Sequence, residues 1–272
     1  MESVMNKERL EKIATKVRYA MVDNMNTKKK YHIGGALSIV DILVFLYFYY
    51  AKITEEEDRD RIILSKGHSC YALYTVLAIK GLMPLKELSS YGELNSIMQG
   101  HPDMKRNQFI DFSTGSLGQG LSVGIGMALG LKYMKKKNKV FVIVGDGELQ
   151  EGQIWEAFMA ASKYNLDNIY CLVDANKLQV DGKVDDIMPI NNFDKILFLM
   201  GWEIRTIEGH DFNSMNNIFK DLEKQNDKPR MIILNTIKGK GISFMENNYI
   251  WHSKIINSKE KKAALNELSH KC

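Results

Sequence analysis

Val140-Phe141-Val142-Ile143-Val144-Gly145-Asp146-Gly147 is the stretch that decides the fold. Five consecutive apolar residues are strand length, and a strand with no polar face is one buried on both sides, as in a parallel sheet. Gly145-Asp146-Gly147 closes it at its carboxyl end. Ile169 to Val173 is a second such run, closed by Asp174-Ala175-Asn176. A helix from about Gln153 to Tyr164 lies between them. Further strands are expected at 202–207 and 230–236, and a short one from Arg61 to Ser65. Strands alternating with helices predict an α/β fold, a parallel sheet flanked by helices.

Working outward, residues 7–25 carry Leu10, Ile13, Val17, Ala20 and Met21 at helical spacing. A loop holds His32-Ile33-Gly34-Gly35. A buried helix is expected from about Ser38, with Ser38 as its N-cap. The apolar stretch Ile39 to Ala51 carries Asp41 and is too short to span a bilayer. Residues 54–60 form a solvated turn, and a helix begins at about Ser69. Residues 89–120 lack periodicity, which in a compact domain points to function or disorder. Thr114 to Gly120 ends that stretch. The next helix has Gly120, Gly124 and Ala128 on one face, which implies close packing against a neighbour. Neither an internal repeat nor a linker interrupts the chain, so 1–272 reads as a single domain. Ser258 to Cys272 reads as a charged tail or helix.

Composition bounds the function. The 272 residues are 45% hydrophobic and 26% charged, with a net charge of +4, as in ordinary soluble proteins. Lys28–Lys30 and Lys135–Lys137 have no interleaved aromatics to stack bases, so no nucleic-acid partner is expected. Cys70, Cys171 and Cys272 form no CxxC pair, which argues against a disulfide framework or zinc site and for a reducing cytosol. The first residues mix charges of both signs and show no secretory signal. A cytoplasmic protein without membrane attachment is expected.

In open α/β sheets, ligands bind outside the carboxyl ends of strands. Two such ends present Asp146 and Asn176. A carboxylate, an amide oxygen and a nearby backbone carbonyl suit Mg²⁺ or Ca²⁺ bound to a diphosphate. Glycines beside Asp146 let the backbone approach the phosphates. A Gly-Asp-Gly turn alone is weak evidence; its pairing with Asn at the next strand end is far more specific. A dinucleotide fingerprint fails, because Gly147 is followed by Glu148-Leu149-Gln150. Gly239-Lys240-Gly241 lacks the rest of a phosphate-binding loop.

Six ordered segments carry a family resemblance. They are YHIGGALS (31–38), SKGHSCYALY (65–74), GHPD (100–103) and STGSLGQGLSVGIGMALG (113–130). GDGELQEGQIWEA (145–157) with DANKLQVDG (174–182), and KGKGISFMENNYIWH (238–252), complete the set. From about residue 7 to 255 the chain resembles the transketolases, thiamine-diphosphate enzymes. Ile33 and Ser116 stand where that family commonly has Pro.

The resemblance implies the thiamine-diphosphate-binding fold and a role for each matching residue. Asp146, Asn176 and the Leu178 carbonyl would hold Mg²⁺ (or Ca²⁺ or Mn²⁺). His68, Gly115, Leu117, Gly147, Glu151, Asn176 and His252 would surround the cofactor. His32, His68, His101 and His252 would line the channel to its thiazolium carbon and contact sugar hydroxyls, where imidazole is a suitable acid and base near neutral pH. Glu151 and Glu156 resemble acidic residues that link two sites across a subunit interface. His210 and His270 fall in no motif and read as structural or exposed.

The activity implied is transfer of a two-carbon ketol unit from a ketose or its phosphate to an aldose, in pentose phosphate metabolism. The family also needs a second domain that binds the aminopyrimidine ring. Only twenty residues follow His252, so that domain is expected on a separate C-terminal subunit, in a heterotetramer. The glycine-faced helix after Gly120 and the segment Glu151–Glu156 are candidate interfaces. Two other readings share the diphosphate motif: the alpha subunit of a 2-oxo-acid dehydrogenase, and a non-catalytic binding module of the same fold.

Overall fold

The apolar runs form strands and the periodic segments form helices. In the computed structural model, which describes residues 5–56, 58–224 and 226–271, a two-residue strand β1 (Lys30–Tyr31) pairs antiparallel with β7 (Lys254–Ile255). The main sheet contains β2 (Arg61–Leu64), β3 (Val140–Gly145), β4 (Ile169–Ala175), β5 (Glu203–Glu208) and β6 (Arg230–Asn235). Its order is β2-β3-β4-β6-β5 and every pairing is parallel.

The helices cover both faces of the sheet. They are α1 (Lys7–Asp23), α2 (Ile33–Ser38), α3 (Val40–Phe45), α4 (Cys70–Lys80), α5 (Gln119–Tyr133), α6 (Gly152–Lys163), α7 (Val184–Ile187), α8 (Phe193–Leu199), α9 (Phe212–Asp221) and α10 (Ser258–Ser269). Strand side chains alternate between two cores, because successive residues point to opposite faces. Phe141, Ile143, Tyr170 and Leu172 join the core under α1, α3, α4 and α9. Val140, Val142, Val144, Cys171 and Val173 join the core under α5 and α6. Phe141 and Val142 are both fully buried, so β3 is covered on both faces.

Two local readings change in the structure, and a third gains its neighbour. His32 to Gly35 do not form a loop: Ile33–Ser38 is helical, with His32 at the N-cap position but making no side-chain cap bond. Ser38 is not an N-cap. It ends α2, and its hydroxyl donates to Asp174 at 2.7 Å and to the Gly35 carbonyl at 3.0 Å. A fully buried carboxylate needs donors more than a helix start needs a cap. The glycine face of α5 is turned inward on this chain's own sheet. A Cβ on Gly120 would meet Ser65 Cβ at 2.6 Å, and one on Gly124 would meet Val142 Cγ2 at 2.5 Å. That face is therefore consumed within the chain; a partner can meet only the other face of α5. Residues 258–269 are the helix α10, capped reciprocally by Asn257 and Glu260. Cys70 and Cys171 are buried and free, while Cys272 lies outside the described residues. Among the described residues no helix is long and apolar enough to cross a membrane.

At one edge of the sheet four strand ends converge. Ser65 to His68 follow β2, Asp146 follows β3, Asn176 follows β4, and Thr236 to Lys238 follow β6. That edge carries most of the residues expected to form the site.

The inward glycine face gives a direct test. Gly124→Val should destabilise the chain by about 1–3 kcal/mol through overpacking against Val142. Gly126→Ala, where a Cβ meets nothing within 4 Å, should be neutral or add up to about 1 kcal/mol as a better helix former. Urea denaturation of both variants measures this. Equal midpoints would mean that the sheet yields to α5.

Candidate active site

The site is built on a buried ion pair. Asp174, on β4, is fully buried. Its carboxylate accepts hydrogen bonds from Lys66, Ser38, Thr236 and Asn176. Burial pushes its pKa up, but the Lys66 ammonium and these donors outweigh it and hold the group below the usual carboxylate range. Lys66 is 2% exposed and also donates to the Gly35 carbonyl at 3.2 Å. One carboxylate thus fixes the turn after β2, the end of α2, the turn after β6 and the Asn176 amide.

Glu148 performs the same task on the other side. It is 2% exposed and accepts from Ser65 Oγ at 2.5 Å, Gly118 N–H at 2.7 Å and Gly145 N–H at 3.0 Å. Gly118 has φ +83, a conformation glycine adopts without cost. Glu148 thereby ties the loop carrying Gly115 and Leu117 to the strand end that carries Asp146. The Leu117 carbonyl accepts from Gln153 at 2.8 Å.

Asp146 follows β3, and its carboxylate accepts from the Gly147 N–H at 2.8 Å and from the Lys177 N–H. Burial first, then Asp174, raises its pKa to about 6. Asn176 Oδ1 accepts from the Leu178 N–H at 3.1 Å. A hairpin after Asn176, closed by the Leu178–Lys183 bridge, returns the Leu178 carbonyl to the same edge. Among the described residues no group of three His, Cys, Asp or Glu could hold a metal alone. One carboxylate, one amide oxygen and one carbonyl make an incomplete oxygen set for a hard divalent cation, which a diphosphate would complete.

The cradle beside it fits such an anion. A Cβ on Gly35 would come within 3.2 Å of Ser69 Oγ, 3.3 Å of Lys66 Nζ and 3.7 Å of His68 Nε2. Ser69 Oγ is buried with no hydrogen-bond partner among the described residues, as is Gln179 Nε2, whose side chain packs on Gly147. Buried donors without partners are costly in a protein interior, and phosphate oxygens would satisfy them.

The motif histidines gather as the sequence suggests. The rings of His32, His68 and His252 form a triangle with centroids 5.4, 5.5 and 5.1 Å apart. His101 stands at the rim beside Gly115, its Cδ2 3.5 Å from a Cβ position there. All four are held below the usual imidazole range, chiefly by burial. For His252 burial, then Lys238, His32 and Lys66, bring the pKa to about 3. The fold therefore presents neutral imidazoles, able to accept as well as donate protons. Glu151 and Glu156 are exposed on the first turns of α6.

Four groups in or under this site escape sequence reading. Asp174, Lys66 and Glu148 sit inside quoted motifs without a chemical signal of their own. Lys238 is 2% exposed, donates to the Leu178 carbonyl at 2.7 Å and lies 3.1 Å from His252 Nδ1. Burial, then Lys66, lowers its pKa to about 8. A buried cation beside a candidate metal ligand and a motif histidine belongs to an anion site. His210, read as structural or exposed, is half-buried against Asp41.

A parallel sheet with acidic and amide oxygens at adjacent strand ends, a cationic cradle and a neutral histidine cluster defines a metal–diphosphate-binding α/β protein. The family model for "Transketolase, thiamine diphosphate binding domain" matches residues 10–271, and the chain belongs to that family, which binds thiamine diphosphate. The 6-deoxy-6-sulfo-D-fructose transketolase subunit SqwG of Clostridium sp. (strain MSTE9) is 41% identical over 241 residues, covering 87% of this chain and 88% of that protein. An apulose-4-phosphate transketolase subunit of Phocaeicola vulgatus is 36% identical over 271 residues, covering 98% and 96%. The solved transketolase of Campylobacter jejuni superposes with a TM-score of 0.90 at 28% identity, covering 97% of this chain. This chain spans 43% of that solved chain.

The neutral histidines predict how stability depends on pH. A histidine kept neutral by the fold but free to charge when unfolded makes stability fall as pH drops. For His252 the loss begins at the unfolded value, about 6.5, and continues towards about 3. Asp146 acts oppositely between its ordinary 3.8 and about 6, where the fold binds the extra proton. Glu148 and Asp60, also raised by burial, act in the same sense as Asp146. The histidines begin to lose stability at about 6.5, above the value of about 6 at which Asp146 starts to respond. The urea midpoint should therefore fall as pH drops from about 6.5 to about 6, where the histidines act first. His252→Asn should flatten that fall. An equal fall in both proteins would show that the His252 imidazole charges freely in the fold.

Proposed function

We propose that this chain, as a single domain over residues 1–272, is the diphosphate-binding subunit of a two-subunit transketolase. It would transfer a two-carbon ketol unit from a ketose, or its phosphate, to an aldose. The observation that carries the reading is the meeting of the Asp146–Asn176–Leu178 oxygen set with the His32–His68–His252 triangle at one sheet edge. A diphosphate module without sugar chemistry has no need of the histidines. This weakens both the 2-oxo-acid dehydrogenase and the non-catalytic readings.

Bound thiamine diphosphate supplies the chemistry of breaking and making the carbon–carbon bond. The chain's own residues hold it and move protons around it. Asp146, Asn176 and the Leu178 carbonyl ligate Mg²⁺ (or Ca²⁺ or Mn²⁺). Gly147, Gly115, Leu117, His68, His252 and Lys238 surround the diphosphate and its neighbourhood. His32, His68, His101 and His252 accept and return protons on sugar hydroxyls, with His101 at the entrance. Glu151 and Glu156 face the partner.

The need for a partner is supported by the names of similar proteins. The relatives that this chain covers almost end to end are named as subunits. The partner would be a C-terminal subunit that binds the aminopyrimidine ring, in a cytoplasmic heterotetramer. A place in pentose phosphate metabolism is one setting for such an activity. The substrates in the names of the relatives, a sulfosugar and apulose 4-phosphate, widen the class to sugars with an anionic far end.

Two measurements test this. Asp146→Ala should abolish Mg²⁺-dependent binding of thiamine diphosphate to the assembled enzyme, while thermal stability holds because a buried carboxylate with a raised pKa is lost. Calorimetry reads the affinity directly, and an unchanged value removes Asp146 from the metal site. The chain purified alone should show no ketol transfer with saturating cofactor and Mg²⁺, and adding the partner subunit should restore it. Robust turnover by the verified single chain would overturn the two-subunit reading.

A further inference from the structure

Beneath the site, outside every motif role assigned above, lies a second buried ionic cluster. Asp41 on α3 and Arg18 on α1 are 5% and 7% exposed. Arg18 grips the carboxylate with both terminal nitrogens, at 3.0 and 2.6 Å. His210, after β5, places Nδ1 2.6 Å from the same carboxylate. Burial pushes Asp41 up, but the Arg18 guanidinium and His210 overcome it and hold its pKa at about 2. The carboxylate is a permanent anion with three donors.

Each partner of Asp41 reaches one further atom, and both atoms lie in the same turn. His210 Nε2 accepts from the Ile237 N–H at 2.9 Å. A ring nitrogen that accepts from an amide carries no hydrogen, so the Nδ1 hydrogen points at Asp41. Arg18 Nε donates to the Lys240 carbonyl at 3.1 Å. The turn 237–240 is thus held at both ends from a single carboxylate, and Lys238 lies between them. Two backbone bonds hold its middle: Gly239 N–H to the Gly34 carbonyl at 2.9 Å, and Asn247 N–H to the Lys238 carbonyl at 2.9 Å. Gly239 has φ +80, and a Cβ there would overlap the Met245 carbonyl. The Lys238 stem runs over Gly34, its Cγ 3.1 Å from a Cβ position there.

Buried ion clusters are weak sources of stability, since apolar residues of similar volume often do as well. What such a cluster fixes well is geometry. We infer that His210, oriented by the Asp41–Arg18 pair, is a positioning residue that fixes the 237–240 turn and so aims the Lys238 ammonium into the diphosphate cradle. The inference rests on the proposed function for the identity of the anion. His210 touches neither cofactor nor substrate; it acts through the Ile237 amide.

Two amide replacements separate this role from a structural one. His210→Asn places its amide where Nδ1 was, keeping a donor for Asp41 and losing the reach to Ile237. His210→Gln places its carbonyl where Nε2 was and keeps that reach. Each is combined with Lys238→Met in the assembled two-subunit enzyme, and affinity for Mg²⁺–thiamine diphosphate is measured by calorimetry. His210→Asn should weaken binding about tenfold and His210→Gln less than about threefold, with thermal midpoints of the cofactor-free proteins close to wild type. Lys238→Met should weaken binding at least as much as His210→Asn, and the double variant should be no weaker than Lys238→Met, because the two changes act on one interaction. Hydrogen exchange should quicken in the peptide spanning 236–241 in His210→Asn and not in His210→Gln. Multiplied losses in the double variant overturn the positioning role and leave the functional reading intact. Full affinity in Lys238→Met overturns the placement of Lys238 and the positioning role with it. Failure of the wild-type assembly to bind the cofactor overturns the functional reading itself.

Discussion

The Lys66–Asp174 pair is the constraint on which the rest of the site depends. A carboxylate taken wholly out of water is tolerated only when charge and hydrogen bonds replace its hydration. Asp174 obtains both from four chain segments: Lys66 after β2, Ser38 at the end of α2, Thr236 after β6 and Asn176 on its own strand. Each segment also carries a functional side chain or leads to one. Lys66 precedes His68, Ser38 closes the helix that begins beside His32, and Thr236 precedes Lys238. Removing the carboxylate would leave a buried ammonium unpaired, and breaking such a pair costs about 3–5 kcal/mol.

The fold is largely legible in the sequence because its signals are local. Apolar runs such as Val140–Val144 and Ile169–Val173 state both strand and burial, and glycines or polar residues mark their ends. The irregularity of 89–120 is legible too, and that segment delivers His101 and Gly115 to the site. Misreadings arise where a long-range demand overrides a local preference. Ser38 has the chemistry of an N-cap, yet a carboxylate 136 residues away recruits it. The small face of α5 does pack closely, but only the fold shows that the neighbour is Ser65 and Val142 of this chain's own sheet.

The same distinction explains which site residues are visible. Histidine, Gly-Asp-Gly and a strand-end asparagine carry chemistry in their identity. Lys238, Glu148 and Asp174 are ordinary charged residues until their burial is known, and burial of a single side chain is not written in its neighbours. His210 shows the limit most clearly. In sequence it is one of two unplaced histidines. In the fold, its two ring nitrogens join α3 to the turn after β6, a link that spans 169 residues to Asp41 and 27 to Ile237.

The charges of the site can then be understood together. Lys66 and Lys238 lie close enough for each to depress the histidines, and Lys66 to depress Lys238. Asp174 is committed to Lys66, while Lys238 donates instead to the Leu178 carbonyl. At the same sheet edge, Asp146 is raised to about 6 because burial strips its water and Asp174 repels it. An ammonium pushed down and a carboxylate pushed up at one sheet edge fit the proposed site for a divalent cation and a polyanion bound together. A metal at Asp146 would offset the repulsion from Asp174, and phosphate oxygens would offset the repulsion between Lys66 and Lys238. The histidines stay neutral chiefly because they are buried, and for His32, His68 and His252 nearby lysines add to the effect. That is the state in which an imidazole can take a proton from a sugar hydroxyl.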